Sequence, residues 1–380
     1  MIPHKIKRLE DGGEYWLHIS FTLRERTLWA QAGHEVAWAD LPFPLPLPES
    51  GSASASAYPV VRVQTMDALE MQENGRFISV TGEHFTLSFD KLNGGIAAWS
   101  YRGEPLLTAG PQINLWRAPA DNDVHLAKRW REAGYHELEA FVRDIAVRSA
   151  AGGKAVQIKA NGILGVKGTR PLFEAAQLYT IYGSGDVTIE TSLIPAKEGL
   201  PPLPRVGLRL RVPERFERFS WFGRGPHECY ADRKESGKLG LYEGTAAEQF
   251  VPYIKPQENG SKADVRLAAT SDPNGTGLII SGIGSPLGQV GVQQYSAQAL
   301  SRAKHLSDLS PLGEYEVSVD MRQSGIGNHS CGYAPTLPAY LIAPEPTVFA
   351  VRLKPYAAGE CGSILESRLL PEPIPWHHSD

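Results

Sequence analysis

Four stretches of this 380-residue sequence gather side chains able to hold a ligand or move a proton. The first, RAPADNDVH, runs from Arg117 to His125 and sets Asp121, Asn122 and Asp123 in a row after a proline. Short acids and amides in that pattern can bind sugar hydroxyls or a cation. They can equally accept hydrogen bonds from the free N–H groups that open a helix. Capping and turn-making are the stronger of the two readings. The second, WFGRGPHECYADRKESG, runs from Trp221 to Gly237 and carries His227, Glu228 and Asp232. Two carboxyl groups about 5 Å apart are what retaining glycoside cleavage requires. Arg224, Arg233 and Lys234 lie close by in sequence, so ordinary ion pairs are the stronger reading.

The third stretch, VPYIKPQENGSK from Val251 to Lys262, reads as a turn with a polar tip, Glu258-Asn259-Gly260. The fourth, SGIGNHSCGYAP from Ser324 to Pro335, follows a strong strand pattern. Glycines at 325, 327 and 332 let the backbone pass close to a partner. His329 beside Cys331 hints at a thiol nucleophile, although a small cysteine at a strand end is more often inert packing. Neither this stretch nor GIGSPLGQVG (282–291) is a nucleotide loop. One lacks a following helix and the other lacks the Lys-Ser/Thr ending. His377-His378 reads as a frayed tail.

The elements that must position these groups are mostly strands. Leu17, Ile19, Phe21 and Leu23 alternate with His18, Ser20 and Thr22, which predicts a half-buried strand over 15–23. Further strands are predicted at 27–30 and 35–38. From Arg76 onward the period-two pattern recurs at 77–80, 85–90, 96–101, 177–182, 187–194, 206–212 and 315–321. Asn93-Gly94-Gly95 and Gly183-Ser184-Gly185-Asp186 supply hairpin turns. Helices are predicted at 126–133 and, shorter, at 297–303. The expected fold is all-β: a large antiparallel supersandwich at 76–380, a Pro/Ser/Ala-rich linker at 46–75, and strands at 1–45 that resemble the last part of an immunoglobulin-like sandwich. Two or three strands are too few to stand alone, so pairing with another polypeptide or with a longer chain is expected.

Composition excludes several classes. The formal net charge is −4 and charged residues are 21% of the chain, so there is no electrostatic case for nucleic acid or an acidic membrane. No apolar run reaches the roughly 20 residues that span a bilayer. Cys229, Cys331 and Cys361 are few and scattered, which points to a reducing, cytoplasmic compartment. The first residues show no apolar signal-peptide core.

Taken together, the stretches are specific. Trp29-Ala-Gln-Ala-Gly-His34 with Trp38, Arg117 to Asp123, Gly223 to Arg233, Pro252 to Gly260 and Gly325-Ile-Gly327 stand in one order and spacing. In that order they resemble the C-terminal third of family 2 glycoside hydrolases, most nearly β-galactosidases, over about residues 15–355. The resemblance implies a galactose mutarotase-like supersandwich. It also implies retaining hydrolysis of terminal β-galactosides such as lactose, with Mg²⁺ in the complete enzyme and no cofactor in this chain. In the family both catalytic glutamates and the metal ligands belong to a (β/α)₈ barrel, and no such strand–helix alternation occurs here. No catalytic residue and no metal ligand is therefore assigned to this chain. The resemblance instead casts Arg117, Asp121, Asn122, Asp123, His125, Cys331, Gly332 and Tyr333 as a wall of the substrate pocket. Its partner would be a large subunit or an upstream barrel segment. Some relatives place a tryptophan where this chain has Cys331-Gly332-Tyr333. Either Tyr333 substitutes for the ring, or the site beyond the galactose is looser.

Two other readings are kept. A free-standing aldose epimerase needs a histidine and a carboxylate across a sugar cleft, with His84, His136, His227 and His305 as candidates. A carbohydrate-binding module needs an exposed aromatic platform, with Trp99, Trp116, Trp130 and Trp221 as candidates.

Overall fold

A computed structural model describes residues 14–42, 60–327, 336–360 and 369–376. The chain divides into two units, Met1–Val60 and Val61–Asp380. The first contains the antiparallel hairpin Trp16–Thr22 with Glu35–Pro42. Its register pairs Leu17 with Leu41, Ile19 with Ala39 and Phe21 with Ala37, so one face is wholly apolar. The other face carries His18 against Asp40 at 2.7 Å and Ser20 against Glu35 at 2.5 Å. The strand expected at 27–30 is instead a turn. Thr27 N–H donates to Ala30 O at 2.9 Å, and the Thr27 hydroxyl accepts from Ala30 N–H at 3.2 Å. A local side-chain bond has taken the place of a ladder.

Among the described residues, the second unit holds three large antiparallel sheets. A nine-stranded sheet runs, in spatial order, through Glu139–Ala150, Ala155–Gly165, Phe173–Tyr182, Val187–Pro195, Thr347–Tyr356, Gly277–Gly282, Leu267–Ser271, Arg218–Gly225 and Lys238–Thr245. A five-stranded sheet runs through Lys262–Ala263, Gln289–Gln293, Glu314–Gln323, Arg205–Pro213 and Ala109–Asn114. A second five-stranded sheet is the meander from Glu70–Asn74 to Glu104–Pro105. One apolar core joins all three, with Phe89 and Trp99, Tyr179 and Leu353, and Leu208 and Val319 in the same cluster. Period-two alternation is what delivers those side chains to one face of each strand. Of the segment expected as linker, the described part, residues 60–75, is already structured. Val63 and Met66 are buried against Ala155 and Tyr182, and Glu70–Asn74 is a strand.

Both expected helices are present, as Val124–Glu132 and Ala297–Arg302. The first buries Leu126, Ala127 and Trp130, the i, i+4 stripe that the sequence predicts. Trp130 Nε1 donates to Pro202 O at 2.7 Å, tying the helix to the segment before Arg205–Pro213.

Candidate functional site: a convergence of four loops

The four chemistry-bearing stretches meet. Arg117 follows the strand Ala109–Asn114, and Ser324 follows Glu314–Gln323 in the same sheet. Asp232 lies between Arg218–Gly225 and Lys238–Thr245, and Gln257 and Glu258 lie in the crossing before Lys262. The centre of the meeting is an ion pair without exposed surface. Arg117 Nη2 reaches Asp123 Oδ1 at 2.7 Å and Oδ2 at 2.9 Å, and both residues are 0% exposed. Arg117 Nη1 also donates to Ser324 O, and Nη2 donates to Gly325 O at 3.0 Å. Its guanidinium lies 5.4 Å from the Trp130 ring, which fixes the following helix against the same group. Asp123 Oδ2 accepts from Ala120 N–H at 2.8 Å and so closes the 3₁₀ turn Asp121–Asp123. Its side chain makes no cap bond to the helix Val124–Glu132, so the turn-making half of the reading is the one that holds. Burial raises the Asp123 pKa above the ordinary carboxylate value, against the pull of Arg117 and the Ala120 N–H.

The other loops lock onto this centre. Asp121 N–H donates to Gln257 Oε1 at 2.9 Å, and Gln257 Nε2 donates back to Asp121 Oδ2 at 3.2 Å. Glu258 N–H donates to Ala118 O at 3.2 Å. Asn122 Nδ2 donates to Ile326 O at 3.1 Å. Asp232 accepts from Ile326 N–H at 3.1 Å and from Gly327 N–H at 2.8 Å. Ala120, Tyr230 and Ile326 form a small apolar cluster beneath.

The eight residues expected in the wall fall into three groups. Arg117 and Asp123 sit inside it, fully buried, where they hold the loop rather than face a ligand. Asp121, Asn122 and His125 are exposed at its surface. Cys331, Gly332 and Tyr333 lie outside the described residues. The Glu228 and Asp232 carboxyls are both committed to the framework. Glu228 accepts from Arg233, from the Tyr253 hydroxyl, and from Gly260 N–H at 2.8 Å. Asp232 holds backbone, as above. The expected ion pairing is right for Arg233, whereas Arg224 and Lys234 both pair with Asp264, at 2.6 and 2.8 Å. Asp264 had no signal in the sequence, since its partners lie thirty and forty residues upstream.

Behind the wall lies a second charged group. Arg205 Nη2 meets Glu258 Oε1 at 2.8 Å and Asp320 Oδ2 at 3.5 Å. Asp320 is 0% exposed and its carboxyl oxygens accept no hydrogen bond, so burial pushes its pKa up to about 7. Burial likewise lowers Lys262 to about 8 and raises the Cys229 thiol to about 11, which disfavours the thiolate at Cys229.

The aromatic platform of a binding module is not found at the expected tryptophans. Trp99, Trp130 and Trp221 are at most 2% exposed and offer no platform. Trp116 is half-buried against Trp130 and His136. The four histidines belong to separate elements: His84 in a hairpin turn, His136 after the first helix, His227 beside Ser236, and His305 ahead of a short 3₁₀ turn. A depression of about 370 Å³ on the meander sheet is lined by hydroxyls such as Ser79, Thr86 and Ser100, and shares no residue with the loop cluster. Among the described residues, no three His, Cys, Asp or Glu side chains converge to hold a metal. None of their helices is long and apolar enough to cross a membrane.

An all-β scaffold with loops from two sheets locked at one place defines the class, and comparison with known sequences gives the family. The signature described as "Beta galactosidase small chain" matches residues 81–353, and the chain belongs to that family. A second signature, "Beta-galactosidase, domain 4", matches residues 1–44. The chain is 33% identical to a β-galactosidase of Priestia megaterium over 334 residues, covering 87% of this chain and 30% of the relative. A β-galactosidase of Psychromonas ingrahamii is 31% identical, with 83% and 30% covered. One of Kluyveromyces lactis is 29% identical, with 80% and 29% covered. The chain thus spans about 30% of the length of these relatives. Among solved structures, galactose 1-epimerase from Lactobacillus acidophilus NCFM matches at TM-score 0.39 and 9% identity, covering 77% of this chain and 99% of that one. A GalM/aldose epimerase homologue from C. elegans matches at 0.40 and 8%, covering 76% and 99%.

Proposed function

We propose that this chain is the non-catalytic component of a retaining, cytoplasmic β-galactosidase, acting on terminal β-galactosides such as lactose. Its loop cluster forms one wall of the substrate pocket. A partner segment, either a large subunit or an upstream barrel, supplies the acid/base and nucleophilic glutamates and the ligands of any Mg²⁺. The observation that carries the reading is the convergence of the Arg117, Asp232, Gln257 and Ser324 loops within one family-matched region. That convergence leaves Asp121, Asn122 and His125 facing outward on a rigid base. Glu228 and Asp232 do not fit a cleaving pair, because both are tied to framework partners. Nor do the described residues fit a metal centre. Short amides and acids on a fixed loop suit the hydroxyls of a sugar, because a preorganised donor or acceptor loses little entropy on binding.

The test is reconstitution. The purified chain alone should not hydrolyse a chromogenic β-galactoside. Hydrolysis should appear on mixing with a barrel-containing β-galactosidase segment. Robust turnover by the chain alone would overturn the reading, as would mutarotation of fresh α-galactose followed by polarimetry.

A further inference from the structure

Every backbone donor and acceptor from the Ser324 N–H to the Gly327 N–H has a partner. Ser324 N–H goes to Pro204 O at 2.9 Å and Gly325 N–H to Tyr340 O at 2.8 Å. Arg117 serves the carbonyls of Ser324 and Gly325, and Asn122 serves that of Ile326. The remaining two N–H groups, Ile326 and Gly327, both donate to Asp232, one to each carboxylate oxygen. The two flanking glycines are shaped by the same contacts. A Cβ on Gly325 would lie 2.5 Å from Asp232 Oδ2, and one on Gly327 would lie 2.5 Å from Asn122 Nδ2.

The Ile326–Gly327 turn is therefore held between Asp232 on one side and Asn122 on the other. Neighbouring cations do not compete for Asp232, because Arg233 pairs with Glu228 and Lys234 with Asp264. A carboxylate accepting from two successive N–H groups makes charge-assisted bonds, roughly twice as strong as neutral ones. Asn122 spends its amide on the Ile326 carbonyl, so the orientation of that exposed side chain follows from where Asp232 puts the turn.

From this geometry we infer that Asp232 is a positioning residue of the galactoside site, acting on the sugar through the Ile326–Gly327 turn and Asn122. The inference rests on the proposed function for its substrate, but the clamp itself can be tested without it. Asp232→Asn keeps the shape while replacing one acceptor oxygen with a donor that faces an N–H.

In the full chain, amide hydrogen exchange should show Ile326 and Gly327 protected, and both should exchange at least about tenfold faster in Asp232→Asn. Val317 and Val319, in the adjoining strand, should not change, and the exposed-site control Glu235→Gln should match the wild type. Wild-type amides at 326 and 327 that exchange freely would overturn the inference even if the variant did not fold. Unchanged exchange in a folded variant would do the same. In the enzyme assembled with a barrel-containing partner, Asp232→Asn should raise KM for a β-galactoside about tenfold while the amount of assembled enzyme stays the same. A fall in assembly with KM unmoved would mark a purely structural role and overturn the positioning claim. If the wild-type chain gives no activity with any such partner, the proposed function fails, and the exchange experiment still decides the clamp.

Discussion

Arg117 and Asp123 stand six residues apart and meet as an ion pair without exposed surface, joined by more than one hydrogen bond. The pair closes its own loop and, through the remaining Arg117 N–H groups, takes up two carbonyls more than two hundred residues away. A buried pair is a poor source of net stability but costly to break, because the surviving charge is left unpaired in a low dielectric. Asp123→Ala should therefore cost roughly 3–5 kcal/mol of unfolding free energy, measured by denaturant titration. Arg117→Lys should also destabilise, because an ammonium cannot reproduce the fork that serves a carboxylate and two carbonyls together. A change under about 1 kcal/mol in Asp123→Ala would show that the pair does not exist in solution.

Gly327 has φ of 118°, and a Cβ there would meet Asn122 at 2.5 Å. Backbone strain and overlap then act together, so Gly327→Ala should cost on the order of 1–3 kcal/mol. Gly284, with φ of 76° and open space around its Cβ position, is the comparison. Gly284→Ala meets strain alone and should cost less. Equal melting shifts in the two variants would show that Asn122 is free to move aside.

Period-two alternation made the strands legible. Phe85–Asp90 appears with the expected bounds, and Leu208 and Leu210 point into the core as the pattern required. The stripe of Leu126 and Trp130 located the first helix for the same reason. The four site loops were legible as polar punctuation between such strands. Their mutual contacts were not, because Asp232 and Ile326 are brought together only by strand order across the sheets. The same limit hid Asp264 as the partner of Arg224 and Lys234, and Asp320 as a buried acid. Asp320 occupied a polar position in an alternating strand, which local pattern assigns to solvent. Thr27–Ala30 departs from the expected strand because the Thr27 hydroxyl accepts from Ala30 N–H and closes a turn.

Asp320 gives the chain a pH-dependent term. Burial raises its folded pKa to about 7 from the ordinary 3.8. Arg205 opposes the shift, but at 3.5 Å, while its closer bonds go to Glu258 at 2.8 Å and Ser318 at 2.9 Å. The folded state thus binds the proton more tightly than the unfolded state does. The stability so contributed is complete below pH about 4 and is lost as the pH rises through about 7. Asp320→Asn should remove this term and flatten the stability profile between those limits, with the gap over wild type widening toward pH 7. Denaturant midpoints across that range check it. A gap that narrows instead would show Asp320 ionised and paired with Arg205.

Along Trp16–Thr22 and Glu35–Pro42, the face that carries Leu17, Ile19, Phe21, Ala37, Ala39 and Leu41 has no polar side chain. Phe21 is 62% exposed, Leu41 47% and Leu17 42%. A hairpin of two strands is marginal in water without such a face covered, and a contiguous apolar patch marks an interaction surface. Under the proposed function, the cover comes from the partner segment. Phe21→Asp should then change the unfolding free energy of the chain by less than about 0.5 kcal/mol, as for other exposed positions. It should also sharply weaken assembly with a barrel-containing β-galactosidase segment, followed by light scattering alongside recovered activity. Full assembly of Phe21→Asp would show that the patch is not the docking face. A large loss of stability in the chain alone would show that Phe21 is already covered.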